Sequence, residues 1–327
     1  MVKGLLAAVE KKYALTIQHF EVIRDTTRTF VLKVIAEQGI FILKSMYTDE
    51  HRLQFILEAE DFIRSRGIKI PSVLLTNENK LYFTYKGEYF VLQQWICAVP
   101  YRLTSIDKTV RLAQLLGEIH SFTKGYQPSF GPFYYGAAKW EQEYEENVGY
   151  LESWRIDSLK IEEEWKLSVL EYLDFFISTG TYVKENVKTN IIFHSWNENH
   201  PNLVLSHSDF HTQNVLMDES LDLHIIDWEF VRLDFPSRDI NRLLYAMLKK
   251  STAWNHQVFN TMMRAYLNRN WLSDQEMKLM YLDLAFPHNF CRNLIWGKFA
   301  RMTVNQIKDL LQKEYDKTVY LLDCYKK

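Results

Sequence analysis

Glycine and proline are scarce in this chain, eleven and seven residues of 327, so long irregular loops are excluded and long helices are expected. Cysteine is scarcer still. Cys97, Cys291 and Cys324 are scattered, odd in number and form no C-x-x-C pair, a pattern that excludes a disulfide framework and points to synthesis in a reducing cytoplasm. No excess of one charge exists: 39 Lys and Arg face 41 Asp and Glu, a formal charge of −2, so the electrostatic footprint of a nucleic-acid binder is missing. No apolar run approaches the roughly 20 residues needed to span a bilayer. The opening MVKGLLAAVEKKY reads as an amphipathic helix interrupted by charge, not as a secretory signal.

What is present belongs to an ordinary folded protein. Hydrophobic residues make up 47% and charged residues 24%, which excludes disorder, and the length favours two lobes over one small core. After the first helix, 29–35 and 40–44 are β-branched and aromatic runs joined by the turn Glu37-Gln38-Gly39, two strands of a hairpin. The segment 49–66 predicts a helix that opens on Asp49 and stops at Gly67. Runs at 80–85 and 88–96, separated by Lys86-Gly87, form a second hairpin. A small antiparallel sheet with a packed helix therefore occupies 1–95. The remainder, 96–327, is mostly helical: 104–122 carries apolar residues at helical spacing with Thr104 as its cap, and helices resume from Asp239 to the end. The fold class is α+β.

A short strand-like island interrupts the helices. It reads His207-Ser-Asp209-Phe-His-Thr-Gln-Asn214, then His224-Ile-Ile-Asp227-Trp-Glu229. A carboxylate is followed by an amide five residues on and a second carboxylate thirteen residues after that. Phosphoryl transfer asks for such groups: one carboxylate to orient a hydroxyl, and an amide oxygen and a carboxylate to hold Mg²⁺ against phosphates. Tight loops between short strands would hold them accurately.

His-x-Asp-x-x-x-x-Asn followed by Ile-Asp-Trp resembles the catalytic segment of the kinase-like superfamily, in the aminoglycoside and choline phosphotransferase branch. Phe55-Ile-Leu-Glu-Ala-Glu60, Val91-Leu-Gln-Gln-Trp-Ile96 and Ala285-Phe-Pro-His-Asn-Phe290 are similar to the bacterial spore-coat CotS-like proteins within it. The resemblance implies a bilobal protein-kinase-like fold that uses ATP or GTP with Mg²⁺ to phosphorylate a hydroxyl acceptor, a small molecule or sugar before a protein. Asp209 would be the catalytic base, His207 would brace its loop and Asp239 would anchor it. Asn214 and Asp227 would bind the metal, and Lys44 the nucleotide phosphates. Adenine would meet backbone groups of Gln94 to Ile96. The lysine's helix partner would be Glu60 or Glu58; Glu60 lies nearer the apolar face centred on Ile56, Ala59 and Ile63.

One departure stands out. The hairpin over the phosphates, Arg24-Asp-Thr-Thr-Arg28-Thr29, has no glycine, so threonine hydroxyls and Arg24 or Arg28 would replace bare backbone N–H groups. That loop leaves open a second reading, a kinase-shaped structural or interaction protein of the spore coat with weak turnover or none. A hydrolytic metal site built on His200, His207 and His211 is a third, weakened by the dispersal of the other histidines. No G-x-S-x-G or nucleophilic cysteine signature supports acyl transfer. Glu141, Glu143, Glu145 and Glu146 with Glu162, Glu163 and Glu164 suggest a cationic acceptor or simply a solvated helix face. The aromatic run with Phe133, Tyr134 and Tyr135 could stack a ring or pack between helices.

Overall fold

A computed structural model describes residues 2–27, 29–129, 134–158, 163–196 and 201–327. In chain order the elements are α1 (Val2–Tyr13), β1 (Ile17–Thr26), β2 (Thr29–Ala36), β3 (Gly39–Met46), α2 (Glu50–Ser65), β4 (Phe83–Tyr85), β5 (Glu88–Gln94), β6 (Val99–Pro100), α3 (Ile106–Thr123), α4 (Trp140–Ser158), α5 (Glu164–Lys188), α6 (Ile191–Ser195), β7 (Val204–Ser206), β8 (Val215–Met217), β9 (Leu223–Ile225), β10 (Arg232–Asp234), α7 (Ser237–Leu248), α8 (His256–Leu267), α9 (Asp274–Ala285), α10 (His288–Ile295) and α11 (Val304–Lys326).

The chain divides into two compact units. The first takes in Met1–Tyr101, Pro128–Gly131 and Thr212–Val231; the second takes in the rest. The sequence places the change of composition near residue 96 and everything after it in the large lobe. The units divide differently because of strand pairing. Val99 and Pro100 of β6 pair with Met217 and Leu216 of β8, and the Ile225 N–H donates to the Lys69 carbonyl at 2.9 Å. The hairpin that carries Asn214 and Asp227 is thereby tied to the first unit.

That unit is built on an antiparallel sheet of order β1-β2-β3-β5-β4. Alternation along β3 puts Phe41 and Leu43 in a core shared with Leu5, Leu6 and Val9 of α1, Leu32 and Val34 of β2, and Phe90 and Leu92 of β5. Lys44 takes the other parity, opposite Val31 and Val91. Helix α2 starts where the Asp49 side chain accepts the Arg52 N–H at 2.8 Å. It buries Leu53, Ile56, Ala59 and Ile63, and ends where Gly67 takes φ +87°.

The second unit is helical around the two-stranded sheet of β7 and β10. Helix α3 packs along α8, and α11 along α9 and α5. The cap of α3 is Ser105 and not Thr104. Ser105 accepts the Lys108 N–H at 3.3 Å, while Thr104 lies one residue further out, in a turn closed by its N–H to the Arg102 carbonyl. Trp140 is fully buried against Trp196 and Phe235, with Nε1 donating to Asp234 at 2.8 Å. Arg28, Phe133, Glu162 and His200, named from the sequence, lie outside the described residues. No described helix is long and apolar enough to cross a membrane.

Candidate functional site

In the first unit the chemistry gathers on Lys44. Its Nζ lies 3.1 Å from Asp227 Oδ1 and 3.8 Å from Glu229 Oε1. Burial alone would pull the lysine pKa down, but the two carboxylates outweigh it and hold the ammonium above the ordinary lysine range. Asp227 sits in the left-handed region at φ 69°, a strained setting for a non-glycine residue that persists only where its surroundings enforce it. The enforcement is visible: Trp228 beside it is buried, and Arg52 of α2 donates to the Glu229 carbonyl at 2.8 Å.

Asn214 belongs to the same corner. Val215 pairs with Ile225, so Asn214 faces Ile226, whose N–H donates to the Asn214 carbonyl at 3.0 Å. Asn214 and Asp227 therefore leave one end of the β8–β9 hairpin together. Glu229 joins them as a residue that the sequence reading left without a role; its only signal there was the position two after Asp227. Its pKa is raised, by burial first and by the neighbouring Asp227 charge, against the pull of Lys44 and Arg24. Among the described residues, no three His, Cys, Asp or Glu side chains gather where they could hold a metal ion.

Glu60 turns inward as expected, while Glu58 bonds the Ser129 N–H and hydroxyl at 3.1 and 2.9 Å. Glu60 does not, however, reach ion-pair distance of Lys44. Its carboxylate accepts from Gln93 at 3.2 Å and lies 4.0 Å from Arg64, because Asp227 and Glu229 already occupy the ammonium. Burial pushes the Glu60 pKa up to about 7, against the field of Lys44 and Arg64. Of the residues expected at adenine, Gln94 spends its N–H on the Ser72 carbonyl and Trp95 on the Ile40 carbonyl. Gln94 and Ile96 line a hollow of about 500 Å³ with Pro71 and Cys97.

In the second unit, Asp209 is held by a buried scaffold. Asp239, at zero exposure, accepts the backbone N–H groups of His207 and Ser208, each at 2.8 Å. The same carboxylate meets His120 Nε2 at 3.2 Å, and His120 Nδ1 lies 2.9 Å from the Tyr266 hydroxyl. Burial raises the Asp239 pKa, but His120 and the donated N–H groups hold it below the ordinary carboxylate range. His207, buried, sets its Nδ1 3.3 Å from the Asp209 N–H. Ser208 between them takes φ 65°, a second strained residue beside a candidate group. The Asp209 carboxylate has His211 Nε2 at 3.2 Å and Arg242 at 3.8 Å. Burial opposes ionisation there, yet His211 and Arg242 keep its pKa low.

The acidic residues of α4 are committed elsewhere. Glu143 pairs with Arg238 at 3.0 Å and Glu145 with Lys184 at 2.7 Å, and Glu141 faces solvent.

With this geometry in place, comparisons with known proteins agree in kind. The pattern of the phosphotransferase enzyme family matches residues 18–275. The chain is 19% identical over 295 residues to spore coat protein S of Bacillus subtilis, covering 88% of this chain and 82% of that one. An aminoglycoside phosphotransferase from Alicyclobacillus acidocaldarius superposes with a TM-score of 0.76 at 14% identity, over 98% and 95% of the two chains. An amicoumacin kinase in complex with AMP-PNP and Ca²⁺ gives 0.65 at 16% identity over 97% and 93%. Choline kinase from Cryptosporidium parvum gives 0.58 at 12% over 99% and 97%. A small antiparallel sheet and a mainly helical remainder, with the kinase-like fold of these neighbours and a family match over most of its length, show that this chain belongs to the phosphotransferase enzyme family.

Proposed function

We propose that the chain transfers the terminal phosphoryl group of ATP or GTP to a hydroxyl acceptor in the presence of Mg²⁺. The observation that carries this reading is the meeting of Lys44 with Asp227 and Glu229 at the hairpin end that also bears Asn214. The donor set fits the metal. Mg²⁺ is bound by one or two carboxylates and completes its octahedron with phosphate oxygens and water, not with an all-protein cage. Asn214 and Asp227 would hold it, with Glu229 alongside. Bound there, the ion would neutralise charge on the phosphates.

Lys44 would supply the fixed cation for the phosphates, keeping its charge because the acidic pair stabilises it. Arg24, whose field reaches Glu229, would serve where the hairpin lacks glycine. Glu60, in its ionised form, would steady Lys44 through the field and not by contact. The Ile96 backbone, outside the ladder bonds that engage Gln94 and Trp95, would meet the base; AMP-PNP in the amicoumacin kinase and ADP in a structurally similar spectinomycin phosphotransferase favour adenine. Asp209, ionised across the ordinary pH range, would orient the attacking hydroxyl. The acceptor oxygen bonds to the γ-phosphorus, the bond to the β-phosphate oxygen breaks, and the hydroxyl proton passes to Asp209. Such a transition state asks mainly for positioning and charge.

Placement at a spore coat is supported by the likeness to spore coat protein S. That likeness and the glycine-free hairpin favour one alternative, a coat protein that keeps the shape with little turnover. Thermal melting with and without ATP, GTP and Mg²⁺ separates the two. A ligand bound only by the folded state adds about 2.7 kcal/mol at a hundred times its Kd. A Mg²⁺-dependent rise in Tm that disappears in Asp227→Ala supports the enzyme; no rise at millimolar nucleotide supports the scaffold.

A further inference from the structure

The helical unit holds a second hollow, of about 480 Å³, on whose wall cations outnumber acids four to one among the described residues. Lys249, Lys298 and Arg301 face it beside Tyr245 and Asn293. Among the described residues, the only acid on its wall is Asp309, already paired with Lys313 at 2.6 Å. Among the described residues, Lys249, Lys298 and Arg301 have no carboxylate within 4.0 Å. Their charges are not part of a general surplus, because the whole chain carries −2.

The hollow is connected to the candidate base through one helix. Arg242 and Tyr245 stand at i and i+3 of α7, and Lys249, the residue that caps its C-terminus in helical conformation, continues the same stripe at i+7. Arg242 donates through Nε to the Ser208 carbonyl at 3.2 Å and lies 3.8 Å from Asp209; Tyr245 and Lys249 line the hollow. Lys298 feels both cations: partial burial, then the charges of Lys249 and Arg242, hold its pKa below the ordinary lysine range. Lys249 and Lys298 lie over the rings of Tyr245 and Trp296, which leaves their charge without a carboxylate partner; a solvated surface intersperses acids among its lysines, whereas like charges gathered around a concavity with no acid partner suit an anion.

We propose that this hollow receives a carboxylate or phosphate of the hydroxyl acceptor, so that the acceptor is a hydroxy acid or a phosphorylated alcohol and not an amine. This rests on the phosphotransferase reading above, since the acceptor's hydroxyl is the group that Asp209 would orient. The α4 glutamates, which could have drawn a cationic acceptor, are exposed or spent in their own ion pairs.

Four hydroxyl compounds of differing charge test it on the full chain: D-glycerate, D-glucose 6-phosphate, myo-inositol and choline. Each is titrated by melting and calorimetry, alone and with ATP–Mg²⁺, against the natural chain and the variant Lys249→Gln/Lys298→Gln/Arg301→Gln. All three positions are exposed or half-exposed, so the variant folds. The expected result is binding of at least one anion, carboxylate or phosphate being told apart by which of the two it is, and affinity about tenfold weaker in the variant. Binding of choline or myo-inositol without either anion overturns the proposal. So does failure of both anions to bind, or equal affinity for natural chain and variant. The nucleotide shift is read separately, and its loss would sink the phosphotransferase reading while leaving the anion result to stand on its own.

Discussion

Lys44 is unusual among the described lysines in meeting two carboxylates from a distant stretch of sequence, at 3.1 and 3.8 Å. Replacing it with methionine removes the ammonium that Asp227 and Glu229 both face and whose field reaches Glu60. The expected outcome is loss of nucleotide binding by at least about tenfold, measured by calorimetry. Glu60 gives a prediction in pH. Its folded-state pKa, pushed up to about 7, exceeds its value in the unfolded chain, so folding takes up a proton between roughly pH 4.5 and 7. Stability therefore falls as pH rises through that window, by up to about 3 kcal/mol. Glu60→Gln should flatten the fall in urea melts across the same window. A slope unchanged by the substitution would mean that the carboxyl is not held in its acid form by burial beside Lys44 and Arg64.

At the scale of elements, the loop carrying Asp209 leaves the β7–β10 ladder at Ser206 and is then fixed by groups that come from three helices. Asp239 of α7 takes two backbone N–H groups and His120 of α3, which in turn meets Tyr266 of α8. Asp239→Ala strands those donors in the interior, and a loss of about 3–5 kcal/mol is expected in denaturant unfolding. The α3–α8 contact depends on Gly117: a Cβ there would lie 2.5 Å from the Tyr266 carbonyl oxygen. Gly117→Ala should cost about 1–3 kcal/mol and disturb the His120–Tyr266 bond, visible as faster amide exchange at His207 and Ser208. Much of this was legible beforehand. The hydrophobic spacing of α2, its Asp49 cap and its Gly67 stop could be read from the residues, as could the alternation that turns Lys44 away from Phe41 and Leu43. The cap of α3 could not, because Thr104 and Ser105 carry equivalent hydroxyls and only the backbone path decides between them.

At the scale of the whole molecule, the motif His-x-Asp-x-x-x-x-Asn with Ile-Asp-Trp was enough to indicate the family. It did not show that the segment is shared between compact units, Asp209 with the helices and Asn214 and Asp227 with the sheet. That allocation follows from long-range pairing of β6 with β8, two residues against three, which leaves almost no periodicity in the sequence. The partner of Lys44 was equally hidden. Periodicity turns Glu60 inward, but only the fold shows that Asp227 and Glu229 reach the ammonium first.

The division of labour is itself testable. Calorimetric titration of AMP-PNP with Mg²⁺ into the natural chain, Asp227→Ala and Asp209→Ala addresses the central claim most directly. Nucleotide should bind the natural chain and Asp209→Ala alike, with Asp227→Ala weakened by at least about tenfold. Equal binding by Asp227→Ala and the natural chain, or no binding by any of the three, would contradict the account.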